Sequence, residues 1–216
     1  MADNHALQPN FIKGQTSNQV RFFSEKVETP IPRIADVLRR DHHEIESVYD
    51  RILTSKDPDE QTRFQNQFTW EVARHAIGEE LVVYPAFEKY LSKGGEMADR
   101  ARREHQEMKE KLKEFQSLKS TDPQFHTKLK SLMADLQNHI EKEESGDLRR
   151  LEEVLSQPDS QGLSKSFDRT RMFVPSRSHP SAPNKPPFET VAGLLTAPMD
   201  RVADLFRKWP DETRFL

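Results

Sequence analysis

The chain contains no cysteine among its 216 residues. This absence excludes disulfide bonds, thiolate metal ligands and cysteine nucleophiles, and it fits a reducing compartment. Apolar runs of membrane-spanning length are missing, and the first residues lack the apolar core of a secretory signal. A net charge of −3, with both signs interspersed, disfavours nucleic acid as a partner. We therefore expect a cytoplasmic globular protein with neither a nucleic-acid nor a membrane partner.

Proline and glycine divide the chain into three predicted regions. Residues 1–31 are polar and irregular and form the expected N-terminal extension. Residues 32–156 have helical periodicity and form the expected domain. Residues 157–216 hold eight of the fourteen prolines and many serines, which predicts an extended tail. This tail is expected to end in one short amphipathic helix within "PFETVAGLLTAPMDRVADLFRKW".

The middle region predicts four helices from the spacing of its apolar residues. The expected helices cover about residues 34–53, 61–90, 97–115 and 125–154. The turns "KDPDE" and "STDPQ" and the glycine stop "SKGGE" separate them. Because the connections are short, neighbouring helices must run antiparallel. The predicted fold is all-α, an up-down-up-down four-helix bundle.

The apolar face of each predicted helix is interrupted by histidine, and in two helices a glutamate follows one turn later. The six residues are His42, His75, Glu79, His105, His139 and Glu143. The histidines lie about 15 to 17 residues from the turn that joins their helix to the next. At roughly 1.5 Å of rise per residue, their levels agree to about one helical turn. We therefore expect the six side chains to converge near the middle of the bundle.

Four buried histidines and two buried glutamates at one level require a cation, because unpaired buried polar groups and charges are costly. Imidazole and carboxylate ligands suit iron or manganese, whereas zinc typically takes only four ligands. Six ligands on four helices fit two metal ions bridged by carboxylates and solvent. A single His-x-x-x-Glu pair is usually a solvated surface pair, but here "RHAIGEEL" and "NHIEKEES" repeat it on two buried faces.

Three further residues lie close to the predicted site. Glu80 and Glu144 each follow a predicted ligand, and we expect them to accept hydrogen bonds from histidine N–H groups. Tyr84, in "VVYP", allows either a redox role or simple aromatic packing beside Pro85, and packing is favoured.

Four stretches together resemble the hemerythrin-like family and its HHE cation-binding domains. They are "DHHEIESVYDRI", "WEVARHAIGEELVVYPAFEKYL", "REHQEMKEKL" and "LMADLQNHIEKEE". The resemblance covers about residues 32–155, and the tail is similar to tails of fungal members. It implies a non-haem di-iron centre that reacts with dioxygen or peroxide. The implied cofactor is two iron ions (Fe2+/Fe3+) with an oxo or hydroxo bridge, favoured over manganese or zinc. By position, the implied ligands are His42, His75, Glu79, His105, His139 and Glu143.

Two departures from the family pattern bear on function. Oxygen-carrying hemerythrins have a second histidine one turn after the histidine of the third helix, where this chain has Lys109. They also place an aspartate five residues after the fourth-helix histidine, whereas Glu143 follows His139 by four. The predicted site therefore has fewer histidines and a more open coordination sphere, which argues against reversible oxygen carriage.

Three functional classes remain open. The favoured class is a di-iron protein that senses, buffers or binds iron or oxygen. The second is an oxygen-dependent enzyme, either an oxidase or oxygenase or a peroxide-consuming catalyst, which would need a substrate-sized apolar pocket at the metals. The third is a structural metal bundle whose tail docks a protein partner. For the tail, we predict that residues 188–207 pack on the bundle and restrict access to the metals.

Overall fold

The computed structural model describes residues 30–172, 177–182, 184, 203–204 and 207–211. All of these except Pro30 belong to one compact unit, Ile31–Leu216. Within the described ranges, every helix is too short or too polar to cross a bilayer. The predicted N-terminal extension lies outside the described residues, apart from 30 and 31. The predicted tail helix also lies outside them, apart from residues 203–204 and 207–209.

The four predicted helices are present, and the expected all-α bundle is confirmed. Helix α1 is Ile34–Thr54. Helix α2 covers residues 58–90 as Pro58–Gly78, the π-helical turn Glu79–Val83, and Tyr84–Tyr90. Helix α3 is Gly94–Phe115. Helix α4 covers residues 125–154 as Phe125–Lys142, the π-helical turn Glu143–Asp147, and Leu148–Val154.

Two helices begin three residues earlier than predicted. Helix α2 begins at Pro58 because the Asp57 side chain accepts the Asp59 N–H at 2.9 Å, and proline is favourable in a first turn. Helix α3 begins at Gly94, which lies directly against the backbone of the preceding helix. A Cβ atom added there would lie 1.7 Å from the Phe87 carbonyl oxygen, so this close approach requires glycine.

Two separate apolar clusters stabilise the bundle. The histidines lie between these clusters along the buried faces of the helices. In α1, Leu38 belongs to one cluster and Ile45 to the other, with His42 between them. The first cluster includes Ile34, Leu38, Val83, Tyr84, Phe87, Ala98, Ala101, Leu148 and Leu151. The second includes Ile45, Ile52, Phe68, Met108, Leu112, Phe115, Phe125, Leu129, Leu132 and Leu136. The apolar stripes therefore hold the bundle together on both sides of the histidine level.

A fifth helix corrects the prediction of extended chain from residue 157. Helix α5 is Gln157–Arg171, and the Ser156 side chain caps it by accepting the Asp159 N–H. Proline lies in its first turn, and Ser160, Ser164 and Phe167 are buried on one face. The high serine and proline content suggested an irregular tail, but proline near the start and a serine cap are ordinary helix-start signals.

Described parts of the tail beyond α5 lie against α2 and α3. The Ser178 hydroxyl donates to the Lys109 carbonyl, and its N–H donates to Gln116 Oε1 at 3.1 Å. Further along, the Arg63 guanidinium donates to the Trp209 carbonyl at 2.8 Å. These contacts attach described residues of the tail to the bundle.

Candidate metal centre

The six residues that interrupt the helix stripes come together in the interior of the bundle. Each is at most 4% exposed. Their potential ligand atoms form two groups that could hold a metal ion, with all atoms of a group within 4.8 Å of one another. The first group is His42, His75, Glu79 and Glu143, and the second is Glu79, His105 and His139. Glu79 belongs to both.

Glu79 directs one carboxylate oxygen toward each pair of histidines. Its Oε1 lies 3.1 Å from His75 Nε2, and its Oε2 lies 3.1 Å from His105 Nε2. Within the pairs, His42 Nε2 lies 3.1 Å from His75 Nε2, and His105 Nε2 lies 3.2 Å from His139 Nε2. A carboxylate in this position can bridge two ions, one in each group.

The second ligand glutamate, Glu143, is buried without a hydrogen bond to either oxygen from any described residue. Its Oε2 lies 3.5 Å from His42 Nε2. A buried carboxylate oxygen without a partner is costly and therefore rare in native proteins. A cation between Glu143, Glu79 and the first histidine pair would satisfy these oxygens, so the residues fit a metal ion.

Both candidate ligand glutamates begin a π-helical turn. The Tyr84 N–H donates to the Glu79 carbonyl, and the Leu148 N–H donates to the Glu143 carbonyl, five residues apart in each case. A π-turn inserts one residue into an α-helix and is frequent at functional sites. In α2 and α4 the regular pattern of helical hydrogen bonds is therefore interrupted at the two candidate ligands themselves.

Each of the four histidines also has its Nδ1 atom on a carboxylate of a neighbouring helix. The Nδ1 atoms of His42, His75, His105 and His139 face Glu144 (2.6 Å), Asp41 (3.4 Å), Glu80 (3.0 Å) and Glu104 (2.9 Å), respectively. A carboxylate on Nδ1–H fixes the imidazole tautomer and makes the other nitrogen a better ligand. All four Nε2 atoms are thus directed toward the centre of the site.

Asp41 and Glu104 are the functional residues that sequence reasoning missed. Each directly precedes a predicted histidine ligand, Asp41 before His42 and Glu104 before His105. Glu80 and Glu144, which were predicted as acceptors for histidine N–H groups, directly follow the ligand glutamates. The shared signal is a carboxylate next in sequence to a ligand, which bonds a histidine of the adjacent helix.

Lys109 and Tyr84 lie beside the second group. The Lys109 ammonium donates to Glu80 Oε2, while Glu80 Oε1 faces His105 Nδ1. The Tyr84 hydroxyl lies 2.8 Å from His105 Nε2 and 3.4 Å from Glu79 Oε2. Lysine therefore acts on the site through a carboxylate, whereas tyrosine contacts two of the candidate ligands directly.

The buried carboxylates of the site change the pKa values of its histidines. Burial lowers the pKa of His75, but Glu79 and Asp41 outweigh it and raise the pKa to about 10. His139 behaves alike, since Glu104 and Glu79 overcome burial and raise its pKa to about 10. Burial and the nearby His75 instead lower the pKa of His42 to about 4. Without metal, protons on imidazole neutralise part of the buried negative charge.

Comparison with known proteins agrees with this architecture. The model of the hemerythrin HHE cation binding domain matches residues 33–151. An uncharacterized hemerythrin-like protein of Schizosaccharomyces pombe is 52% identical over 192 residues, which are 88% of this chain and 93% of that protein. A DNA nickase of Nostoc sp. is 23% identical over 176 residues, which are 77% of this chain and 49% of that protein. The search of solved structures gave no significant match. The chain therefore belongs to the hemerythrin HHE cation-binding family.

Proposed function

We propose that this protein holds two iron ions and reacts with dioxygen, and that it senses, buffers or binds iron or oxygen. The observation that carries the proposal is the position of Glu79, whose two oxygens face two different histidine pairs. A site for one ion would need only one such group. The two groups that share Glu79 fit two ions with a common carboxylate.

The donor set fits iron. His42, His75 and Glu143 would hold one ion, His105 and His139 would hold the other, and Glu79 would contribute to both. Neutral imidazole and carboxylate suit iron, whereas zinc prefers a closed set of four ligands. Iron bound there supplies Fe2+/Fe3+ redox chemistry and coordination positions open to dioxygen. The second ion would have fewer protein donors than the first, so the open positions are concentrated on its side.

Tyr84 places a hydroxyl hydrogen-bond donor at this more open side. Burial and the neighbouring Glu79 raise the pKa of Tyr84 well above its ordinary value, so its hydroxyl remains protonated. That hydroxyl donates to Glu79 Oε2 at 3.4 Å and lies 2.8 Å from His105 Nε2. Tyr84 therefore presents a fixed O–H group beside the shared carboxylate, where a small oxygen-containing ligand would need a hydrogen-bond donor.

The space beside the ligands favours a small ligand over an organic substrate. A cavity of about 10 Å³ touches His75, His105 and Lys109, and its other walls are mainly apolar. The remaining lining residues are Val72, Ala73, Ala76, Met108, Leu112 and Leu136. About 10 to 15 Å³ accommodates one water-sized molecule. A space of this size supports the proposal only by arguing against the alternative of an enzyme that oxidises a bulky substrate.

The activity in the name of the Nostoc relative is not part of the proposal. The match covers 49% of that DNA nickase, and the other half has no counterpart in the alignment. The net charge of −3 also gives no electrostatic reason to expect DNA binding. A cytoplasmic location and a protein partner for the tail remain predictions from the sequence.

Anaerobic reconstitution with ferrous iron, followed by exposure to air, tests the proposal. We expect about two iron atoms per chain, as a two-metal site requires, and new near-ultraviolet and visible absorption after air is admitted. The matched control is His126→Ala. His126 lies at the start of α4, away from the site, where its ring forms a hydrogen bond with Gln61 of α2. Iron that binds but gives the same spectrum with and without air would reject the oxygen reaction.

A further inference from the structure

Helix α5 lies beyond residues 33–151 of the family match, yet it reaches the histidine level. The Phe167 ring is fully buried and meets the His75 ring edge-on, with 6.1 Å between the ring centres. The ring also contacts Gly78 of the same helix, where an added Cβ would lie 2.6 Å from Phe167 Cε2. The absence of a side chain at Gly78 therefore creates the space in which Phe167 docks.

One turn further, Arg171 contacts the carboxylate that supports His75. Its guanidinium donates to both oxygens of Asp41, and its side chain is only 12% exposed. Asp41 is itself 2% exposed and faces His75 Nδ1 through Oδ2. Removing the cation from such a pair leaves an uncompensated buried charge on the carboxylate, which is energetically unfavourable. The position of Asp41, and with it the His75 ring, therefore depends on Arg171.

The same three-part arrangement occurs behind every histidine of the site. The carboxylates Glu80, Glu104 and Glu144 face Lys109, Lys142 (2.9 Å) and Arg39 (4.0 Å), respectively. These three cations lie on the bundle helices α3, α4 and α1. Among the described residues, Asp41 is the carboxylate of this set whose short ion pair comes from outside the four-helix bundle.

We propose that α5 is part of the metal centre and that Arg171 is a positioning residue for His75, acting through Asp41. Arg171 contacts Asp41, and Asp41 in turn faces His75. The ion affected would therefore be the one held by His42, His75 and Glu143. The ion held by His105 and His139 has its own carboxylates and cations. The inference rests on the proposed two-metal site and adds that one of its halves depends on a helix outside the matched domain.

Cobalt(II) tests this because it is stable in air-free buffer and its visible absorption reports each ion without any oxygen chemistry. Wild-type protein, Arg171→Gln and Arg171→Lys are loaded with cobalt and then challenged with a chelator. The control is Arg169→Gln, since Arg169 is exposed on the same helix and bonds Lys165 and Ser166 of that helix. Circular dichroism establishes that each variant is folded at the assay temperature.

We expect Arg171→Gln to bind one of its two cobalt ions roughly ten- to a hundredfold more weakly, as is typical when the support of a histidine ligand is lost, and therefore to release that ion faster. The other ion should leave at the wild-type rate. Arg171→Lys should restore most of the retention because its ammonium can still pair with Asp41, and Arg169→Gln should behave as wild type. Asp41→Asn, a substitution in α1, breaks the same chain of contacts, and we expect the same selective release from it. It tests the inference if Arg171→Gln does not fold.

Two results would overturn the inference while leaving the two-metal site intact. One is release of both ions from Arg171→Gln at the wild-type rate, and the other is faster release of both ions together, which would make α5 a general stabiliser of the bundle. Wild-type protein that binds no cobalt or one ion would instead reject the two-metal site, and the inference would fall with it.

Discussion

Replacing Gly78 by alanine should destabilise the protein although the residue lies inside a helix. Alanine normally stabilises a helix interior relative to glycine by roughly 0.5–1 kcal/mol. Here the added Cβ would lie 2.6 Å from Phe167 Cε2 and 3.1 Å from Cδ2, and the ring is fully buried. Overpacking a core of this kind costs roughly 1–3 kcal/mol. The balance is a loss of roughly 0–2.5 kcal/mol.

Thermal unfolding followed by circular dichroism measures this loss. For a chain of this size the melting temperature should fall by up to roughly 10 °C. Gly162→Ala is the matched control because Gly162 lies within α5 and a Cβ there would meet no described atom within 4 Å. That variant should be as stable as wild type or slightly more stable. The double variant Gly78→Ala/Phe167→Leu should lose less than the two single variants together, because the smaller side chain removes the clash.

The result that would refute this reasoning is a Gly78→Ala protein at least as stable as Gly162→Ala. Helix propensity would then outweigh the contact with Phe167, and α5 would not be packed tightly against α2. The same variant should also release cobalt faster from one half of the site, since movement of Phe167 displaces the helix that carries Arg171.

Three further predictions concern the metal site. Glu79→Ala should lose both ions while the protein stays helical, because Glu79 belongs to both ligand groups and the apolar clusters are untouched; full metal content by elemental analysis would show the ligand assignment to be wrong. Lys109→His should bring the absorption spectrum and the reversibility of oxygen binding closer to those of oxygen carriers, and an unchanged spectrum and reversibility would exclude any influence of this position on the metals. Metal binding should release protons and strengthen as pH rises toward about 10, because His75 and His139 have pKa values of about 10 without metal and must become neutral to act as ligands. Cobalt titrations in weak buffer should show the released protons, and an affinity that is constant between about pH 6 and pH 9 would contradict this.

The bundle and the level of its site could be predicted because both depend on periodicity. Residues three and four apart share a helix face, so a histidine such as His42 between Leu38 and Ile45 must point the same way as they do. Short connections then make neighbouring helices antiparallel. Two residues that are equally far from the turn between their helices therefore lie at the same level of the bundle. These arguments need only local geometry, which the sequence specifies well.

The contacts of Asp41 and Glu104 could not be predicted in the same way. Each points to a histidine on a different helix, and that pairing depends on how far each helix is rotated about its axis. A rotation of one position, about 100°, would turn either carboxylate away from its histidine. The π-turns at Glu79 and Glu143 change this rotation locally, and apolar periodicity does not reveal them.

Helix α5 was mispredicted for a different reason. The segment has few large apolar residues, and its buried face includes Ser160 and Ser164 together with Phe167. The Ser160 hydroxyl accepts the Ile34 N–H at 3.0 Å, so this side chain satisfies the beginning of α1. A helix that docks through hydroxyls and one aromatic ring has little apolar periodicity, although its serine cap and early proline were visible in the sequence.

The most direct test of the central claim is a crystal structure of the iron-loaded protein with anomalous data collected at the iron absorption edge. The account predicts two anomalous peaks, one beside His42, His75 and Glu143 and the other beside His105 and His139, with Glu79 between them. A single peak, or a peak that Glu79 does not contact, would contradict it.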